Sequence, residues 1–244
     1  MNNIDDFNRL KPQLLSIKKD EVCNPNMPVN TYIQEAQDTY YWCNIDRDKL
    51  AVAGLNLSAI DNILMRSEAL QYCQSVWVQE HEKIVDHENQ LKELSQLAFT
   101  LRNELVQFYR LTFLENSVLL KQIDQASVGH TNTDLIHDLT RLVQIGRSNT
   151  EILKQAYLDL TILDIAETYA ENLGVFLDKL NEAKFTSKPT KEMRDRAFTY
   201  LKQAIDAIRA TGQLIFWKNQ EKAKHYASAY FSDSRLEIKA SAVI

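Results

Sequence analysis

The residues of this chain that could do chemistry are histidines and carboxylates at helical spacing. His130, Asp134 and His137 fall at i, i+4 and i+7, which would stack three potential metal ligands on one helix face. They are the candidate ligands of the chain. The same stretch has a simpler reading. Thr131-Asn-Thr-Asp134 is a capping box with Asp in place of Glu, so a helix opens at 131 and leaves His130 outside it. Asp134 is then engaged as a cap, and no metal is expected.

A second histidine stretch runs Gln79-Glu-His-Glu-Lys-Ile-Val-Asp-His-Glu88. On a helix of ~3.6 residues per turn, His81 and His87 lie roughly 120° apart and cannot share an ion. Glu80 with His87, and His81 with Glu88, align but give only two ligands each, where a metal site wants three or four. A ferritin-like di-iron centre needs paired Glu-x-x-His motifs. The chain has none, and its nearest match is Asp134-Leu-Ile-His137. Asp164, set among Leu160, Leu163 and Ile165, would need a partner if buried. Neither a G-x-G-x-x-G nor a G-x-x-x-x-G-K-[ST] phosphate loop is present, nor a G-x-S-x-G elbow. Cys23, Cys43 and Cys73 form no C-x-x-C pair. No cofactor is therefore expected.

Aromatic residues make the other constellation. Tyr40, Tyr41 and Trp42 are consecutive and would cover most of a helix circumference. One buried face cannot take all three. Tyr and Trp join apolar area to a polar handle and concentrate at interfaces. The exposed member of this trio, with the N-terminal arm through Leu15, is the expected contact with a partner or a second copy.

Long helices must position these groups. From Val29 to Lys188 the chain has no proline, and from Leu55 to Val128 no glycine; these are the residues that most often end helices. Residues 1–29 read as a short helical arm interrupted by Pro12, then a proline-punctuated linker. A helix from about 30 is expected to weaken at Asn44 or Asp46 and to close with Gly54 as its C-terminal cap. Ser58-Ala-Ile-Asp61 reads as the next capping box. Ile63, Leu70, Trp77, Ile84, Leu91, Ala98 and Leu105 then recur every seven residues, joined after residue 90 by Leu94, Leu101 and Phe108. One rod from 58 to 115 would be ~86 Å long. A break near Asp86 to Asn89 is expected instead. Asn116 caps a short helix to Ala126, a further helix runs from Thr131 to Gly146, and Asn149 opens a doubly apolar helix to about 184. Thr186-Ser-Lys-Pro-Thr190 reads as a turn before a last helix, 190 to about 231. Alanines and Gly212 on that helix let a neighbour approach closely. Residues 233–244 read as a loose tail.

The fold class expected is all-α: an elongated, mostly antiparallel multi-helix bundle over 30–232, with a four-helix principal layer and short flanking helices. Hydrophobic residues make up 45% and charged residues 25%, as in globular proteins. The net charge of -5 argues against nucleic acid, which needs a basic stripe. The cations Lys218, Lys222, Lys224, His225, Arg235 and Lys239 drift toward the C-terminus, where the helix dipole favours them. Nothing reads as a membrane span, and the acidic opening MNNIDDF does not read as an export signal, so a cytoplasmic location is expected. The function expected is that of a non-catalytic interaction or structural protein working through protein–protein contacts or self-association. The alternative is an enzyme or small-ligand binder with a site of histidines and carboxylates inside the bundle.

Overall fold

The structure is a computed structural model that describes residues 3–232. The expected tail at 233–244 lies outside the described residues. Among them the regular elements are all helical: α1 (Asn3–Ser16), α2 (Val29–Ile45), α3 (Arg47–Val52), α4 (Ser58–Asp61), α5 (Ile63–Thr112), α6 (Ser117–Gln125), α7 (Asn132–Ser148), α8 (Thr150–Gln155), α9 (Thr161–Ile215) and α10 (Gln220–Lys224), with a 3-10 turn at Lys19–Glu21. The chain is an all-α multi-helix bundle. The described residues divide into two compact units, one of 3–80 and 187–232 and the other of 81–186. Two long helices, α5 and α9, each contribute to both.

The four long helices expected from the sequence are therefore halves of two. Nothing in Asp86–Asn89 breaks α5. No proline or glycine is present, Gln90 donates to Asp86 at 3.0 Å, and Glu88 pairs with Lys184 at 2.7 Å. The heptad line stays buried on both sides of that stretch, at Ile63 and Leu70 in the first unit and Ile84, Leu91, Ala98 and Leu105 in the second. Each half of the helix has its own core to support it.

The expected turn at Thr186–Thr190 is also helical, because α9 runs through Pro189. A proline there removes one backbone hydrogen bond. Flanking hydroxyls donate to other carbonyls of the same stretch, Thr190 to that of Ser187 at 2.8 Å and Thr186 to that of Glu182 at 3.0 Å. Pro12 likewise lies inside α1.

The helix expected at 150–184 is divided at its start. Asn149 donates to the Ile145 carbonyl at 2.8 Å rather than capping α8. α8 ends after one and a half turns, and Asp159 accepts from the Thr161 amide at 3.0 Å where α9 begins. Gly146 does not close α7. A Cβ there would lie 2.2 Å from the Tyr109 hydroxyl, so the residue serves close packing inside the helix. The Ser58–Asp61 box does not form either: Asn56 accepts from the Ser58 amide at 3.0 Å, and Asp61 pairs with Arg47 at 2.6 Å. Other local readings hold. α2 breaks at Asp46, Asn116 caps α6 through the Val118 and Leu119 amides, and Gly54 closes α3 with φ of 89°.

In the first unit the core joins Leu10 and Leu14 of α1, Tyr32, Ala36 and Cys43 of α2, Ile63 and Leu70 of α5, and Phe198, Leu201 and Ile205 of α9. α5 and α9 run antiparallel there. Arg66 donates to the Tyr200 carbonyl at 2.6 Å, and the Arg194 guanidinium lies 4.1 Å over the Trp77 ring. The N-terminal arm is held by the chain's own α9. Arg196 donates to the Leu14 and Ile17 carbonyls at 3.1 and 2.5 Å, which satisfies the open end of α1. Thr199 accepts from the Cys23 amide at 2.8 Å. In the second unit the core joins Ala98, Leu105 and Tyr109 of α5, Ile123 of α6, Leu135, Leu139 and Leu142 of α7, and Leu163 and Leu173 of α9.

Candidate functional site

Helix α2 is the platform that carries the aromatic trio, and its own charges decide how much of it is covered. Apolar Tyr32, Ile33, Ala36 and Cys43 turn one face into the core. Two carboxylates, Glu35 and Asp46, are also buried, and each holds the C-terminal segment. Glu35 accepts from Arg209 at 2.7 Å, the Ser228 hydroxyl at 3.0 Å and the Tyr230 amide at 2.9 Å. Burial alone would raise its pKa, but these donors outweigh burial and hold the carboxyl below its ordinary value. Asp46 accepts from Lys222 at 2.8 Å and from the Tyr226 hydroxyl at 3.3 Å. Its pKa is lowered in the same way, against the opposing effect of burial. Gly212 allows the Tyr226 ring to lie flat against α9: a Cβ there would sit 2.2 Å from the ring.

The C-terminal segment so held covers part of the trio. Trp42 stacks on His225, with ring centroids 3.5 Å apart and planes 16° from parallel. Tyr40 is half-buried against the core. Tyr41 is left outside, 61% exposed, with its ring edge-on to Trp42 at 5.1 Å. Ile45, one turn further along the same face, is exposed as well. Leu15 is exposed on α1.

The candidate metal ligands sit in the second unit and do not converge. Thr131 and Asp134 form the capping box in full: the Asp134 amide donates to the Thr131 hydroxyl at 3.1 Å, and Asp134 accepts from the Thr131 amide at 3.1 Å and its hydroxyl at 2.7 Å. The Thr131 bonds hold the Asp134 carboxyl below the usual carboxylate range. His130 precedes the helix, and His137 is exposed on it. His137 and Asp134 line an open cavity of about 600 Å3 with Asp138, Arg141 and Gln125 among others. Asp138 is already neutralised by buried Arg102 at 3.1 Å, which also donates to the Gly129 carbonyl at 2.8 Å. Asp164 is exposed and pairs with Arg147 at 3.2 Å. Among the described residues no three His, Cys, Asp or Glu side chains are placed to hold one metal ion.

The cysteines are unpaired. Burial pushes the thiols of Cys43 and Cys73 up to about 12, far from the thiolate that reacts or ligates. No helix among the described residues is long and apolar enough to cross a membrane.

Sequence reasoning missed the buried carboxylates of Glu35 and Asp138 and the donors that hold them. The signal was present: Glu35 sits between Tyr32 and Ala36 on an apolar face, and Asp138 between Leu135 and Leu142. A carboxylate in such a line must find a donor. The chain matches no family model, no curated protein and no solved structure.

Proposed function

We propose that the protein acts without catalysis, as a helical interaction protein that docks a partner on the outer face of α2. The observation that carries this reading is the state of the aromatic trio. Tyr40 and Trp42 are covered by the chain itself, while Tyr41 stands out with Ile45 one turn along. An exposed tyrosine on a helix braced by the Glu35–Arg209 pair and, at its end, by the buried carboxylate of Asp46 is a rigid anchor of the type that dominates interfaces. The ionisable groups singled out by spacing support the same view, since Asp134 and Asp164 are engaged in a cap and an ion pair. The net charge of -5 favours a protein partner over nucleic acid. Three free cysteines support a reducing compartment such as the cytoplasm.

The test is site-specific photo-crosslinking in cells that make the protein. A benzophenone side chain at position 41 is expected to give discrete adducts that disappear when Ile45→Asp is added. The same group at Gln203, exposed on α9, is expected to give none. Equal labelling at both positions, or no adduct from position 41, overturns the proposal.

A further inference from the structure

In the first unit the 3-10 turn Lys19–Glu21 is pinned against α9 on both sides. Before it, Arg196 donates to the Ile17 carbonyl at 2.5 Å; after it, the Cys23 amide donates to the Thr199 hydroxyl at 2.8 Å. An open cleft of about 240 Å3 lies between the two elements, walled by Lys19 and Val22 on one side and by Lys188, Lys191, Glu192 and Asp195 of α9 on the other. Lys191 ties the walls together, since its ammonium donates to Asn24 at 3.3 Å and to Asp195 at 3.0 Å. An ammonium has three donors, so one is left for a ligand.

The carboxylates of the cleft do not cancel its cations, because each faces two. Asp195 is buried and accepts from Arg194 at 2.9 Å as well as from Lys191. Glu192 accepts from Arg196 at 2.8 Å. That bond holds the Glu192 carboxyl below its ordinary value, and the charge of Lys19 adds to the effect, which puts the Lys19 ammonium beside it. Lys19 forms no ion pair of its own among the described residues, and Glu21 of the same turn is taken by Lys18 at 4.0 Å. Asp20 is exposed and does not line the cleft. One positive charge is thus left over at each carboxylate. We propose that this cleft binds a phosphate monoester dianion, with Lys19 and Lys191 as its cationic ligands.

Charge and donor type select that ligand. A phosphate monoester carries about -1.5 to -2 at neutral pH. It matches two surplus ammonium groups, whereas a carboxylate leaves one of them unmatched. The surplus donors are lysines, compact point charges that hold phosphate without a planar fork. The forked guanidiniums that suit a carboxylate, Arg194 and Arg196, are already engaged by Asp195 and Glu192. A cleft of about 240 Å3 takes a small anion rather than a nucleic-acid strand, in keeping with the net charge of -5. Both walls are fixed by the Ile17, Cys23 and Asn24 contacts, so binding orders little new chain. The site lies on the turn and α9 and does not depend on Tyr41.

The test is titration of the isotopically labelled full chain with inorganic phosphate at neutral pH and constant ionic strength, read by amide chemical shifts. Saturable shifts are expected at 19–23 and 188–195, with a Kd of about 1 mM or tighter. Lys19→Gln should weaken binding about tenfold, as loss of one charged hydrogen bond does. Glu192→Gln removes a competing carboxylate and should tighten it, which no purely structural role predicts. Lys218→Gln, at an exposed lysine elsewhere on the unit, should change nothing. Circular dichroism checks each fold, and if Glu192→Gln fails to fold, Lys19→Gln decides alone. N-acetyl-phosphoserine amide separates the sources: tighter binding than inorganic phosphate assigns the site to a phosphorylated side chain, equal or weaker binding to free phosphate. No saturation below about 10 mM, shifts spread over lysines outside the cleft, binding indifferent to Lys19→Gln or equally weakened by Lys218→Gln, or weaker binding by a folded Glu192→Gln protein overturns the inference.

Discussion

Replacing Tyr157 by glycine should stabilise the protein, although it deletes the largest side chain on its turn. Tyr157 closes α8 with φ of 61°, and a residue with a Cβ gives up about 1–2 kcal/mol in that left-handed region. Glycine recovers that, but it frees the unfolded chain by about 0.5–1 kcal/mol. The ring itself contributes little, being 95% exposed, and surface substitutions of that kind fall within about 0.5 kcal/mol. The net expectation is a gain of about 0.5–1 kcal/mol. At this chain length that is a rise in thermal midpoint of about 1–4 °C.

Calorimetry on dilute protein measures the effect. Two companions test the reasoning. Tyr157→Ala keeps the Cβ and should be nearly neutral. Gly54→Ala creates the same conflict at φ of 89°, with no neighbour within 4 Å to add a clash. It should cost about 1 kcal/mol through the backbone alone. A Tyr157→Gly protein that melts lower than wild type, or a Tyr157→Ala protein that loses as much as it, means that the ring packs on its own unit. The conformational argument would then fail.

Asp138→Ala strands the buried Arg102 and should cost about 3–5 kcal/mol, while Arg102→Met with Asp138→Leu should recover most of it; urea midpoints decide, and equal losses refute the pairing. Glu35 and Asp46 are held below their unfolded pKa values, so the stability they lend is complete above the ordinary carboxylate range near ~4 and is lost as pH falls through the folded values. Amide exchange at 219–230 should therefore accelerate in acid before the cores open, and Glu35→Gln with Asp46→Asn should flatten that dependence; an unchanged profile counts against it. Iodoacetamide at neutral pH should label Cys23 and leave the buried thiols of Cys43 and Cys73 unmodified in the folded protein. Alkylation of Cys43 without unfolding would show a reactive site on α2.

What could be read from the sequence follows from the range of the interactions involved. Caps are local, so Asn116, the Thr131–Asp134 box and Gly54 were legible from a few residues each. The heptad line was legible because burial at Ile63, Leu70, Ile84 and Leu105 recurs at a fixed spacing. Helix lengths were misread wherever a local breaker met tertiary support. Pro189 ends helices in isolation, yet Phe198, Leu201 and Ile205 continue the buried seam beyond it. Tyr157 is the reverse case: a residue with no breaking tendency closes a helix because Leu153 and Leu158 both join the core beneath it.

The site divides along the same line. The trio's crowding was visible in three adjacent letters, but which aromatic stays outside depended on residues nearly two hundred positions away. His225 covers Trp42 because Asp46 holds Lys222 and Tyr226, and Glu35 holds Ser228 and the Tyr230 amide. The latch thus decides that Trp42 is covered while Tyr41 beside it stands outside. Breaking the latch with Glu35→Gln and Asp46→Asn should uncover Trp42 beside it and enlarge the apolar face of α2. Position 41 would then crosslink more strongly, or to additional partners, at neutral pH. If labelling from position 41 is lost instead, the C-terminal segment is itself part of the docking surface, and the face of α2 alone is not what the partner recognises.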